Sequence, residues 1–82
     1  MSNQFKSRSV RYQEALSKIE DAKLDIEELR DELQNWLDNL PGNLQSSSKA
    51  DLLDESISSL DDVISQLDDV ISSDVDFPGM YD

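Results

Sequence analysis

Apolar residues return every seven positions along the first half of the chain, at Phe5, Tyr12, Ile19, Ile26, Leu33 and Leu40. Three residues after the middle four stand Ala15, Ala22, Leu29 and Trp36. Such an a/d period is the pattern of a helix that lays one stripe against another helix. The spacing predicts a first helix over residues 9–40. Pro41-Gly42 ends it, because proline cannot continue the hydrogen-bond ladder and glycine tolerates the backbone of a helix end.

The second half repeats the pattern more tightly in LDESISSLDDVISQLDDVISS, residues 53–73. Leu53, Leu60 and Leu67 hold d, and Ile57, Ile64 and Ile71 hold a. Ser48 followed three residues on by Asp51 reads as a helix N-cap with an acidic partner. The second helix is therefore expected over 49–73, after a loop at 41–48 and before a tail at 74–82. So short a loop permits only an antiparallel hairpin. Setting a against d then stacks Leu33 on Leu60, Leu29 on Ile64 and Trp36 on Ile57. The same alignment sets Arg30 opposite Asp61 and Lys23 opposite Asp68.

Each seam is wider than two helices require. Val63 and Val70 fill g in the second helix, while Leu16 and Leu37 fill e in the first. An apolar stripe of that width belongs to a bundle. The expected fold class is all-α, one domain over residues 1–82, an antiparallel two-helix coiled-coil hairpin that pairs as a homodimer into a four-helix bundle. The first helix outreaches the second, leaving Tyr12, Leu16 and Ile19 to be covered. The tail DVDFPGMYD carries Phe77, Met80 and Tyr81, which either fold back over that segment or dock on another protein.

Composition narrows the chemistry. The chain of 82 residues holds 19 acids against 7 bases, a net charge of −12, with neither cysteine nor histidine. Disulfides, thiolate metal sites and the commonest general base are thereby excluded, and no enzymatic activity or cofactor is expected. Acids at adjacent positions such as Asp61-Asp62 point about 100° apart on a helix and do not close on one ion. No calcium-type loop or phosphate-cradling glycine loop occurs, so no metal is expected. Ser58, Ser59 and Ser65 precede acids, a weak phosphorylation pattern that helix-surface serine explains as well. No apolar run reaches membrane length, and the start lacks the apolar stretch of a signal peptide; the reading is a cytoplasmic protein without membrane contact.

The charge is unevenly placed. Lys6, Arg8, Arg11 and Lys18 form a basic head ahead of an acidic body. A net negative charge opposes direct binding to nucleic acid and favours basic protein partners. Asp61 and Asp68 are absorbed by the ion pairs with Arg30 and Lys23. The outer column, Glu55, Asp62 and Asp69, faces solvent and is left over; with Asp61 and Asp68 running beside it, it forms the acidic face expected to bind a partner. Two functions follow as expectations. The first is a non-enzymatic interaction or assembly module that self-associates and binds a protein partner. The alternative is an acidic inhibitor or DNA mimic of the phage type, blocking a nucleic-acid-binding protein with a rod-like row of carboxylates.

Overall fold

Serine hydroxyls start both helices. The computed structural model describes residues 6–78, and within them α1 runs Arg8–Asp38 and α2 runs Ser48–Ile71. Ser7 caps α1, its Oγ accepting from the Val10 N–H at 3.2 Å. Ser47 caps α2, its Oγ accepting from the Ala50 N–H at 3.3 Å while donating to the Leu44 carbonyl at 2.6 Å. The cap therefore stands one residue before the predicted Ser48. Ser47 has the extended backbone that a cap needs, whereas Ser48 is already helical. Asp51 lies in the first turn, where a negative charge favours the positive end of the helix dipole.

Between the helices the chain makes a single 3₁₀ turn over Gly42–Leu44, introduced by Pro41. Gln45 Nε2 donates to the Leu40 carbonyl at 2.7 Å, tying the loop to the end of α1. Two long helices then pack together as a hairpin. The ion pairs Arg30–Asp61 and Lys23–Asp68 step by seven residues in opposite directions along the two helices, which fixes an antiparallel register. Extents of 64 × 23 × 13 Å describe a rod one helix layer thick.

The core sits on the α2 side of the seam. Ala50, Leu53, Ile57 and Ile64 are buried, whereas no residue of α1 is. Leu60, Leu67 and Ile71 are half-buried, so all the a and d positions of α2 face inward as expected. In α1 the inward column differs from the prediction. Tyr12, Ile19, Ile26, Leu33 and Leu40 turn inward, but their companions are Leu16, Lys23, Arg30 and Leu37 at e. Ala15, Ala22, Leu29 and Trp36, predicted to complete the seam at d, are exposed. Alanine at two of four positions cannot fill the 8–10 Å between packed helices, while the long e side chains can. Lys23 and Arg30 lay their aliphatic stems over the seam and carry their charges to its edge. Leu29 and Trp36, expected in layers with Ile64 and Ile57, are about half exposed, while Ile64 and Ile57 are buried. The seam role read for Phe5 lies outside the described residues.

Candidate functional site

With the α1 stripe turned toward e, the two flanks of the hairpin become chemically distinct. On the first flank Lys23 Nζ lies 2.5 Å from Asp68 and 3.8 Å from Glu27, and Arg30 Nη1 donates to Asp61 at 2.8 Å. Hydrogen bonding to Asp68 holds the Lys23 ammonium above its ordinary pKa, and partial desolvation offsets only part of that. Arg30 is raised in the same way by Asp61 and then Asp31. Across the seam these inward-placed cations meet acids at e of α2, Asp68 and Asp61, which penalises a slipped register more than an all-apolar seam does.

On the second flank the d column of α1 and the g column of α2 come together. The proof is at the loop end, where Lys49 Nζ, a g residue, sits 5.1 Å from the centre of the Trp36 ring. Along the same flank Leu29 is 52 % exposed, Trp36 49 %, Val63 38 % and Val70 44 %. Between the helices a groove of about 400 Å³ opens here, with Leu33 and Leu60 at its base and Ser56, Ser59 and Val63 along α2. Glu55 stands at its rim. The hairpin does not close this groove on itself.

The residues singled out from sequence distribute unequally. Val63 and Val70 lie on this flank. Leu16 and Leu37, grouped with them from the sequence as a self-association stripe, turn into the seam and are half-buried, because e is the inward column of α1. Leu29 and Trp36 take their place on the surface. Sequence periodicity missed these two because leucine and tryptophan look like seam residues wherever they stand; the signal was the alanine pair in their column.

Glu55, Asp62 and Asp69 are exposed, and among the described residues none of the three makes an ion pair. Asp61 and Asp68 are half spent on Arg30 and Lys23. No family model, curated protein or solved structure matches this chain, so its function is read from the arrangement of its own residues. No helix among the described residues is long and apolar enough to cross a membrane.

At the far end of the rod Phe77 packs its ring on Tyr12, with centroids 5.7 Å apart and planes tilted by 58°. The tail thus returns along α1 as far as Pro78, and Val75 stays exposed. Met80 and Tyr81 lie outside the described residues. In the basic head Lys6, just ahead of α1, donates to Glu14 of that helix at 2.6 Å.

Proposed function

We propose that the protein is a non-enzymatic interaction and assembly module: an acidic helical hairpin with coiled-coil packing that self-associates through its apolar flank and presents its outer surface to a protein partner. The observation that carries this reading is the shared exposure of Leu29, Trp36, Val63 and Val70 on the flank where a groove lined by Leu33, Leu60 and Val63 opens. Scattered apolar residues on a surface need no explanation, but an aligned row beside an open groove does. The thinness of the hairpin supports the same reading. The four buried residues among those described make a small core, and chains of this size commonly gain burial from a second copy. A four-helix bundle built from two hairpins supplies it.

Replacing Val63 and Val70 with lysine tests self-association. Sedimentation is expected to show a dimer for the parent chain and a monomer for the double variant, with helix content retained. An unchanged mass for the variant overturns the assignment of the flank.

The exposed column Glu55, Asp62 and Asp69, without ion pairs among the described residues, supports a second reading, an acidic inhibitor that occupies the nucleic-acid groove of another protein. Carboxylates recurring about every 10.5 Å along a rod give a negative field of lower charge density than DNA but similar shape. Partner binding that falls steeply between roughly 50 and 500 mM salt, and is competed by duplex DNA, supports the mimic; binding indifferent to both removes it.

A further inference from the structure

The two borders of the apolar flank differ in charge, and that difference decides what can be seated there. Outward from Val63 and Val70, α2 offers Ser59 and Gln66, both exposed and uncharged. Outward from Leu29, α1 offers Lys18 and then Asp25 and Glu32, all exposed. A chain of net charge −12 meets a second copy of itself favourably only where like charges are kept apart.

Two symmetric arrangements bring the flanks of two hairpins face to face. If the two-fold axis crosses the helices, α1 meets α1 of the second copy in antiparallel fashion. Centring that contact on Leu29 then sets Asp25 against Glu32 of the second copy, and the reverse, which places four carboxylates at the middle of the interface. If the axis instead runs along the rod, α1 meets α2 of the second copy, and residues that share a level within one hairpin share it between the two. The register fixed by Lys23–Asp68 and Arg30–Asp61 supplies those levels. Asp25 and Glu32 then meet the uncharged Gln66 and Ser59. Trp36 falls beside the small Ser56, and the small Ala22 beside Val70. Lys18 comes level with Ser73 and Asp74 of the second copy, a complementary pairing.

We infer that the occupant of this flank is a second copy of the chain seated with α1 against α2, so that all neighbouring helices are antiparallel and both loops lie at the same end of the bundle. This rests on the self-association proposed above and specifies its geometry. The chain has no cysteine, so Ser46→Cys, in the exposed loop, creates one thiol for a spin label in a nearly isosteric exchange. Pulsed dipolar spectroscopy on the full chain at dimer-forming concentration then measures the distance between the two loops. A distance under about 25 Å is expected, since bundle neighbours lie 8–10 Å apart. A distance of about 45 Å, the length of a helix of this size, in a sample whose sedimentation mass is dimeric overturns the orientation and leaves self-association standing. A monomeric mass overturns both.

Discussion

Lys23 and Arg30 occupy positions where leucine or isoleucine would give a drier seam, and their presence changes how the hairpin answers pH. Lys23 gains a hydrogen bond to Asp68 on folding, so its folded-state pKa stands above its ordinary 10.5. Its contribution is therefore complete below pH 10.5 and is lost as pH rises through the higher folded value. Melting followed by circular dichroism over roughly pH 9–12 is expected to show the parent chain losing thermal stability more steeply than Lys23→Met, which keeps the stem and has no proton to lose. Parallel curves for the two proteins would remove Lys23 from the register. The same residue shows why sequence patterning chose the wrong column in α1. A scale that scores lysine and arginine as polar cannot see that their stems cover a seam while their heads reach its edge.

Among the elements, α2 was legible almost to the residue, because its isoleucine and leucine columns coincide with its inward face and its acids are sorted onto the opposite side. The ion pairs of Arg30 with Asp61 and Lys23 with Asp68 were legible too, since antiparallel alignment of the two periods leaves no other opposite charges at those levels. α1 was less so. Its period of seven is unambiguous, but Ala15, Ala22, Leu29 and Trp36 compete with Leu16, Lys23, Arg30 and Leu37 for one face, and only packing volume separates them. The start of α2 shows the same limit on a smaller scale, because three consecutive serines, Ser46, Ser47 and Ser48, offer the cap and sequence does not choose among them. Ser47 both accepts from Ala50 and donates to Leu44. Ser47→Ala is expected to lower stability by about 1 kcal/mol in urea unfolding, while Ser48→Ala leaves the midpoint nearly unchanged. Equal effects would return the cap to Ser48.

At the scale of the whole molecule, charge and exposed apolar surface are unevenly sorted over the hairpin, with Leu24 the exposed apolar residue beside Lys23 and Asp68. One flank is latched by ion pairs, the outer face of α2 carries the exposed carboxylates of Glu55, Asp62 and Asp69, and the remaining flank exposes Leu29, Trp36, Val63 and Val70. Under the proposed self-association, such sorting leaves one face on which a second copy would meet little repulsion. The candidate surface was legible in sequence only through its valines, because its larger members became visible once α1 was seen to turn toward e.

Trp36 is the chain's one tryptophan and stands exposed at the loop end of that surface, so its fluorescence reports self-association directly. Emission and quencher access measured across a dilution series are expected to shift from a buried, blue-shifted indole at high concentration to a half-exposed one on dilution. The double variant Val63→Lys, Val70→Lys is expected to hold the exposed spectrum throughout. A Trp36 spectrum that does not change with concentration, in a sample whose sedimentation mass passes from dimer to monomer, would contradict burial of this flank by a second chain.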